Sequence, residues 1–329
     1  MSNRPADIPP SAAIRSTADT ESAASVARNQ TALVVAVILH FSRPADTLAC
    51  VTSLRAGTYP RLHILVLDCG PTRDGALDTL RHESGVEVIT VADNRGYAGN
   101  NNLGITCALA RGADWVLLLN DDIIVDAEAV AHLVQVGESD PRVGVVGPMV
   151  YHFDEPTVIQ SAGGGMTGGW DSFHFGQNED DRGQFRGARQ VAWISGCALM
   201  CRGTTVRDVG MLDERFFLYW EETEWCLRAG EAQWSIMHVP AARIWHKGVQ
   251  RDYRPGPAVS YYSTRNHLLT LAVRHAPLAA RLAVWTQVLR TVLSWTLRPK
   301  WRSKRAHRDA MWQGAKDYLA GRFGPWTPQ

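Results

Sequence analysis

Short apolar runs and amphipathic stretches alternate along the first half of the chain. Four runs rich in Val, Ile and Leu have the length of buried strands: ALVVAVILHF (32–41), LHILVLD (62–68), VEVITVAD (86–93) and DWVLLLN (114–120). The stretches between them predict helices from about Pro44, Asp74 and Gly99. Continuous apolar strands that alternate with helices are typical of a parallel sheet covered on both faces. The pattern therefore predicts an α/β protein.

Each predicted strand ends in polar residues. They are His40, Asp68, Asn94 and the run Asn120, Asp121, Asp122. Ligands of parallel sheets bind beyond the carboxyl ends of the strands, and ionised carboxylates in a dry core cost several kcal/mol each. A shared cleft at these strand ends explains the polar set. For one Asp taken alone, capping of the next turn or helix remains an open alternative.

The third strand leads into the loop DNRGYAGNNNLGI (93–105). Gly96 and Gly99 allow a tight turn, and the Asn cluster is suited to cap a helix running through Leu103 to Arg111. The glycine spacing does not match the dinucleotide fingerprint G-x-G-x-x-G. Helix capping explains such a cluster without any ligand, so the loop alone does not establish a binding site.

The segment MLDERFFLYWEETEWCLRAG places Glu221, Glu222 and Glu224 among aromatic residues. If a helix starts near Glu222, then Glu221 and Glu224 share one face and Glu222 points elsewhere, toward a site. Burial among aromatic rings raises the pKa of a carboxyl group, which suits a general base near neutral pH. An acidic helix N-terminus stabilised by the helix dipole is the alternative.

Composition excludes several classes of protein. The chain has 329 residues, a net charge of +1 and 20% charged residues, so it carries no overall electrostatic footprint for nucleic acid. Six cysteines without C-x-x-C spacing indicate reduced thiols, which are typical of the cytoplasm. Residues 1–30 are rich in Ser, Ala, Pro and Thr and predict a disordered tail. The sequence has no uninterrupted apolar run of about 18 residues, so it does not predict a transmembrane helix.

The segment from Pro277 to Arg308 contains no acidic residue. A helical wheel places one set of apolar residues on a single arc: Leu278, Leu282, Trp285, Leu289, Val292 and Leu293. Basic residues are concentrated from Arg298 onward. This pattern predicts an amphipathic helix lying on an anionic membrane, at the inner face of the cell membrane. Packing of this helix on the rest of the protein is the alternative.

Seven segments together resemble the inverting glycosyltransferases of family 2, which have a GT-A fold. They are VAVILHF, ILVLDCGPTRDG, DNRGYAGNNNLGI, LLLNDD, DVGMLDERFFLYWEETEWCLRAG, VPAARIWHKG and YYSTRNHL. The resemblance covers roughly residues 31–270 and is strongest to the rhamnosyltransferase-like branch, which commonly uses dTDP-L-rhamnose. It implies a GT-A domain at 31–270, with a nucleotide-sugar half (31–125) and an acceptor half (126–270). A basic helical extension follows at 271–329.

The resemblance also implies roles for single residues. Asp68 would accept a hydrogen bond from the imide of thymine or uracil. The other donor-site residues would be His40, Asn94, Gly96, Asn101, Asn102, Asn120 and Asp121. Asp122, His246 and Asn120 would hold Mg²⁺ or Mn²⁺, although Asn120 replaces the first Asp of the D-x-D motif and is a weaker ligand. Glu222, beside Glu221, stands where the family carries an Asp base.

The implied reaction joins a nucleotide-diphosphate sugar to an acceptor hydroxyl. The acceptor would be a polyprenyl-diphosphate-linked sugar or a small natural product. Two other functions remain open from the sequence. One is a catalytically silent nucleotide-sugar or glycan-binding module on the same fold. The other is a nucleotidyltransferase, which is disfavoured because LHFSRPADT offers Arg43 but no glycine to hold a triphosphate.

Overall fold

The computed structural model of the protein describes residues 32–70, 75 and 77–328. The tail predicted to be disordered, residues 1–30, lies outside the described residues. The start of the helix predicted from about Asp74 lies outside them as well.

Helices separate most of the strands up to residue 138, and a region of mainly strands follows up to residue 202. The strands are β1 (Val34–His40), β2 (Leu62–Asp68), β3 (Val86–Thr90), β4 (Trp115–Asn120), β5 (Ile123–Val125), β6 (Val143–His152), β7 (Ile159–Ser161), β8 (Gly164–Met166), β9 (Ser172–His174), β10 (Arg189–Gln190), β11 (Ala198–Arg202) and β12 (Ser235–His246). The α-helices are α1 (Pro44–Arg55), α2 (Gly96–Ala110), α3 (Ala129–Glu138), α4 (Gly203–Val209), α5 (Glu221–Glu231), α6 (Pro257–Val273), α7 (Leu278–Leu297) and α8 (Arg305–Leu319). Two 3₁₀ segments span Asp78–His82 and Pro299–Lys304.

A central sheet runs through the whole domain. Its strand order is β10-β12-β6-β11-β4-β1-β2-β3, with β5 paired to β12 and β7 to β6. β3, β2, β1 and β4 are parallel neighbours, and β12 is parallel to β6. β11 is antiparallel to both β4 and β6 and so joins the two parallel parts. The predicted α/β class, with a mostly parallel central sheet, is confirmed.

Successive side chains of β1 enter two different cores. Val34, Ala36 and Ile38 pack with residues of α1 and α3, whereas Val35 and Val37 pack with residues of α2 and α5. Adjacent side chains of a strand point to opposite faces of the sheet, so a strand that is apolar at every position needs helices on both faces. The four predicted strands and the two-sided cover are therefore explained by the same pattern.

Two of the helix predictions need correction. The described part of the β2–β3 connection contains only the 3₁₀ segment Asp78–His82. Gly75 and Gly85 have φ values of +74° and +77°, and these left-handed residues leave room for a single turn between them. The helix predicted from about Gly99 begins at Gly96, so the Asn cluster lies inside α2. Asn94 provides the capping contact instead, because its Oδ1 accepts a hydrogen bond from the Gly96 N–H.

Three helices form the C-terminal part, where a helical extension was predicted. α7 ends at Leu297, and Pro299 follows two residues later. α6 runs without a break through residue 270, so the domain boundary placed there stays a prediction. Among the residues that the structure describes, no helix has the length and apolar character needed to cross a bilayer.

Candidate active site

A cleft of about 320 Å³ opens at the carboxyl ends of the parallel strands. The pairing register sets His40 beside Asp68 and Leu39 beside Asn120. This volume lies at the lower end of the range of small-molecule sites. The lining residues are Leu39, His40, Phe41, Cys69, Asn94, Gly96, Tyr97, Asn100, Asn120, Asp121, Phe217 and Leu218. The structure thus brings His40, Asn94, Gly96, Asn120 and Asp121 together, as the sequence pattern predicts.

Asp121 is buried near the N-terminal end of α1. Its Oδ2 accepts a hydrogen bond from Thr47 Oγ1 at 3.4 Å and lies 3.7 Å from His40 Nδ1. His40 Nδ1 is in turn 2.7 Å from Thr47 Oγ1. Burial and the neighbouring charge of Asp122 raise the pKa of Asp121. This carboxyl group therefore binds a proton or a cation more readily than a solvated aspartate does.

Asp122 is held by two basic side chains. Arg43 Nη2 donates to Asp122 Oδ2 at 2.5 Å, and His246 Nε2 lies 3.1 Å from Asp122 Oδ1. Burial alone would raise the pKa of Asp122, but His246 and Arg43 outweigh it and lower the pKa to about 2. Asp122 is therefore an anion at every physiological pH.

The contact between Asp122 and His246 fits a cation site. His246 Nδ1 lies 3.1 Å from Gln160 Oε1, and Asp122 Oδ1 is buried without a hydrogen bond of good geometry within the described residues. A neutral imidazole with Nδ1–H on Gln160 turns the Nε2 lone pair toward that oxygen. In this tautomer, a cation that contacts both the Nε2 lone pair and Asp122 Oδ1 would make the pair favourable. These two donors suit Mg²⁺ or Mn²⁺.

The described residues contain no group of three or more His, Cys, Asp and Glu side chains arranged around one metal position. The Asp122–His246 pair therefore supplies only part of a coordination sphere. Asn120 lines the cleft next to Asp121. The remaining ligands of a bound cation have to come from Asn120, water or the bound substrate.

Asp68 ends β2 beside His40. Its Oδ1 accepts one hydrogen bond, from the Gly70 N–H at 3.4 Å, and the side chain is buried. The carboxylate retains acceptor capacity for a donor such as the imide of a pyrimidine base. Its role in base recognition stays a prediction.

The structure does not bring Asn101 and Asn102 to the cleft. Asn101 Nδ2 donates to the Tyr97 carbonyl, and Asn102 exchanges two hydrogen bonds with the backbone of Leu212. The reason is the early start of α2, which turns these side chains toward the helix and the loop behind it. Asn100 lines the cleft instead, with its Nδ2 bonded to Asn94 Oδ1 at 2.9 Å.

The loop before α5, residues 213–220, lines part of the cleft through Phe217 and Leu218. Tyr97 N–H donates to the Phe217 carbonyl at 2.6 Å. A Cβ on Gly96 would lie 2.4 Å from the same carbonyl oxygen, and Gly96 has a φ of +74°. Both constraints require glycine at this position. The start of α2 and the loop therefore meet at Gly96 and Phe217.

Glu221 and Glu222 begin α5 directly after this loop. Glu222 lies near Gly196, whose carbonyl accepts a hydrogen bond from the hydroxyl of Tyr97, and Tyr97 lines the cleft. Burial raises the pKa of Glu222, and burial together with the Glu222 charge raises the pKa of Glu221 well above its ordinary value. Glu224, by contrast, pairs with Arg228 at 3.0 Å and with Arg274 at 3.1 Å.

Two residues of the site were not chosen from the sequence. Tyr97 lies inside the quoted loop 93–105, but nothing in the sequence indicates that its hydroxyl reaches Gly196. Arg43 was considered only as a poor triphosphate ligand, although it neutralises Asp122 in the folded protein. Both roles depend on partners at least 79 residues away along the chain.

Comparison with known proteins agrees with this architecture. The family model described as Glycosyl transferase family 2 matches residues 35–202. The N-acetylglucosaminyl-diphospho-decaprenol L-rhamnosyltransferase of Mycobacterium tuberculosis is 25% identical over 75% of this chain and 83% of its own length. The dTDP-rhamnosyl transferase RfbF of Shigella flexneri is 23% identical over 88% and 97%.

A solved structure shares the fold over nearly the whole chain. It is the mannosyltransferase PcManGT from Pyrobaculum calidifontis in complex with GDP-Man and Mn²⁺, with a TM-score of 0.55 and 12% identity. The match covers 93% of this chain and 95% of that chain, and it shows the GT-A fold. With the family model matching half of the chain, this protein belongs to glycosyl transferase family 2 and is a nucleotide-sugar glycosyltransferase of the rhamnosyltransferase-like branch.

Proposed function

We propose that this protein transfers L-rhamnose, or a related deoxysugar, from a dTDP-sugar to a hydroxyl group of a polyprenyl-diphosphate-linked sugar, with inversion at the anomeric carbon. The names of the two relatives support the sugar and, for one of them, the lipid-linked acceptor. Within the chain, the single observation that supports transfer most strongly is the position of Glu222. It is a half-buried carboxyl group that lies near Gly196, as does the hydroxyl of Tyr97, a residue that lines the cleft.

Glu222 acts as the general base in this proposal. Its raised pKa makes the carboxylate a better proton acceptor near neutral pH, and it takes the proton from the acceptor hydroxyl as that oxygen attacks the anomeric carbon. The attack comes from the face opposite the diphosphate, so one displacement gives inversion. Base catalysis of this kind contributes about 10²- to 10⁴-fold to the rate. Glu221 supports the carboxylate from the same helix turn.

Asp122 and His246 would hold Mg²⁺ or Mn²⁺ beside the donor diphosphate, with Asn120 as a neutral third ligand. A bound divalent cation supplies electrostatic stabilisation of charge on the departing nucleotide. Arg43 adds a fixed positive charge at the same carboxylate. Asp68 would accept the imide N–H of the base, and His40, Asn94 and Asp121 would contact the nucleotide.

Helix α7 supports a membrane-bound acceptor. It packs on its neighbours through Ala280, Val284 and Val288, which are buried. A row of leucines on the other side is 51–70% exposed: Leu278, Leu282, Leu289, Leu293 and Leu297. We therefore place α7 on an anionic membrane surface at the inner face of the cell membrane. The basic residues Arg298, Lys300, Arg302, Lys304 and Arg305 would meet the headgroups, at about 1 kcal/mol each.

A donor and acceptor panel tests the proposal. Purified protein with Mn²⁺ is given dTDP-L-rhamnose, dTDP-glucose, UDP-GlcNAc or GDP-mannose, each with a GlcNAc-diphospho-lipid or with a soluble GlcNAc glycoside, and nucleotide release is measured. We expect the fastest release with dTDP-L-rhamnose and the lipid-linked acceptor. Faster release with UDP-GlcNAc or GDP-mannose would refute the donor assignment. Equal transfer to the soluble glycoside would make a small natural product the better acceptor.

A further inference from the structure

The backbone that leads into Glu221 and Glu222 is strained. Phe217, Tyr219 and Trp220 have φ values of +63°, +67° and +76°. Non-glycine residues in this left-handed region cost about 1–3 kcal/mol each, so such a segment persists only when its surroundings hold it. The three residues fall within four consecutive positions directly before α5. The loop therefore needs fixed partners for its carbonyl groups.

Helix α6 supplies those partners from two adjacent residues. Asn266 Nδ2 lies 2.9 Å from the Phe216 carbonyl oxygen and 2.8 Å from those of Leu218 and Tyr219. Arg265 Nη2 donates to the Phe216 carbonyl at 2.8 Å. The Asn266 amide thus contacts three carbonyl groups of the loop. The Arg265 guanidinium also contacts one of them, the carbonyl of Phe216.

The amide of Asn266 has one favourable orientation. Its Oδ1 accepts a hydrogen bond from Arg265 Nε at 2.9 Å, so its nitrogen must face the loop carbonyls. Arg265 is itself fixed because Nη1 donates to the Gly324 carbonyl at 2.8 Å, near the C-terminus. Both side chains are 0% exposed. A buried, fully bonded network of this kind rigidifies the groups that it joins.

The next residue of α6 adds a ring contact. The His267 imidazole stacks on Trp220 with ring centroids 4.4 Å apart and an interplanar angle of 12°. Trp220 is the residue that immediately precedes Glu221. Three consecutive residues of α6 therefore contact the loop between Phe216 and Trp220, immediately before the glutamates.

We propose that Arg265 and Asn266 are positioning residues for the proposed base: they hold the carbonyls of Phe216, Leu218 and Tyr219 and thereby fix Glu222 at the start of α5. The role of Glu222 on which this inference rests is the one proposed above. Neither residue touches the cleft, so they act through the loop. Phe217 and Leu218 of the loop line the cleft, so binding of the nucleotide should depend on Arg265 and Asn266, but less than the rate of transfer does.

The test uses Asn266→Asp in the full-length protein. Aspartate has nearly the same shape, but it replaces the amide donor with a carboxylate oxygen facing three carbonyl oxygens. Hydrogen–deuterium exchange of the peptide covering residues 213–224, measured without substrate, should accelerate at least tenfold. The matched control is Thr264→Val, which removes one hydrogen bond to the Ser260 carbonyl on the same helix and does not touch the loop.

Activity gives a second and separate readout. Asn266→Asp should lower kcat for nucleotide release from dTDP-L-rhamnose with the lipid-linked acceptor about 10²-fold, because displacement of a catalytic group by about 1 Å has an effect of this size. The dissociation constant of dTDP with Mn²⁺ should rise by a smaller factor than kcat falls. The acidic limb of the pH profile should move to lower pH, since a loosened loop admits water to Glu222. Arg265→Lys should show the same changes in milder form if Asn266→Asp fails to fold.

Equal loop exchange in Asn266→Asp and Thr264→Val, or an unchanged kcat and pH profile, would overturn the inference. A loss of dTDP binding as large as the loss of kcat would show a general structural role instead and would overturn it as well. If the wild-type protein releases no nucleotide from any donor, the proposed function fails, whereas the exchange experiment still decides whether α6 holds the loop.

Discussion

The proposed donor rim consists of Asn120, Asp121 and Asp122 after β4, and the proposed catalytic loop consists of residues 213–220 before Glu221 and Glu222. The two regions accommodate carboxyl groups in different ways. Both place carboxyl groups in a poorly solvated site. On the rim, Asp121 and Asp122 follow a regular strand, and their charges meet Arg43, His40 and His246 nearby. In the loop, the backbone is left-handed before Glu221, and Glu221 Oε2 is buried without a hydrogen-bond partner in the described part of the chain. The rim follows from the fold, whereas the loop has to be held in place by other elements.

The difference appears in the protonation of the two sites. Burial acts on Asp122 and Glu222 in the same direction, but His246 and Arg43 outweigh it at Asp122, whereas burial remains the dominant influence at Glu222. The pKa of Asp122 falls to about 2, and the pKa of Glu222 rises. A permanent anion suits the binding of a cation, and a carboxylate with raised proton affinity suits the removal of a proton. These protonation states agree with the proposed roles of the two regions, which are cation binding at Asp122 and proton removal at Glu222.

The largest effect should come from Glu222→Gln. We expect the rate of transfer to fall about 10²- to 10⁴-fold because the amide cannot accept the proton, while the affinity for dTDP stays within twofold. Steady-state kinetics and calorimetric titration with dTDP measure the two quantities. Glu231→Gln, at the exposed end of the same helix, is the control and should keep full activity. A rate above about a tenth of wild type would move the base to another residue.

Asp122→Ala should weaken binding of the nucleotide diphosphate at the donor rim. We expect dTDP to bind about 10²-fold more weakly in the presence of Mn²⁺, because the loss of a metal ligand removes the bridge to the diphosphate, while thymidine binds as before. Asn120→Asp should tighten Mn²⁺ binding if residue 120 is a ligand. Titrations of Mn²⁺, dTDP and thymidine distinguish these effects. Full activity in excess chelator would contradict the metal site.

Substitution of the exposed leucines of α7 should affect binding to membranes rather than the transfer reaction. Leu289→Gln combined with Leu293→Gln should weaken binding to anionic vesicles about tenfold, because two half-exposed apolar side chains lose their burial in the bilayer interface. Leu319→Gln changes a leucine on α8 that is more exposed than either of these two, and it should have no effect. Binding should also weaken with salt, since charges are screened over about 8 Å at physiological ionic strength. Full-length protein that stays in solution with such vesicles at low salt would contradict the docking surface.

The smallest effect should be a pH-dependent gain in stability from Glu221→Gln. Glu221 has a raised pKa in the folded protein, so folding becomes less favourable as the pH rises above the unfolded value of about 4.3. The variant lacks this penalty, and its melting temperature should exceed that of wild type by about 2 °C or more at pH 8 and by less at pH 5. Thermal unfolding at both pH values, with Glu231→Gln as the control, measures it. A lower melting temperature at pH 8 would contradict the account.

The donor rim was predictable because its signal is local. β4 is apolar at every position from Trp115 until it ends at Asn120, and parallel strands align their ends without further information. The start of α2 was less predictable, because Gly96 takes a left-handed conformation that depends on contact with Phe217, which lies far along the chain. The same contact turns Asn101 and Asn102 away from the cleft.

The support of the catalytic loop could not be derived from the sequence. YYSTRNHL contributed to the family resemblance, but its spacing does not show that Arg265 and Asn266 bind carbonyls about 50 residues earlier. A helical wheel placed the leucines of α7 on one arc, but it did not tell whether that arc packs on the protein. The smaller residues Ala280, Val284 and Val288 take the packed side, and this choice depends on the shape of α6 and α8.

The anomeric configuration of the product tests the central claim most directly. The purified protein is incubated with dTDP-L-rhamnose and the GlcNAc-diphospho-lipid, and the one-bond carbon–hydrogen coupling at the anomeric centre is measured by NMR in donor and product. A single displacement assisted by Glu222 predicts the opposite configuration in the product. Retention of the donor configuration would require two displacements or a different mechanism and would contradict the account.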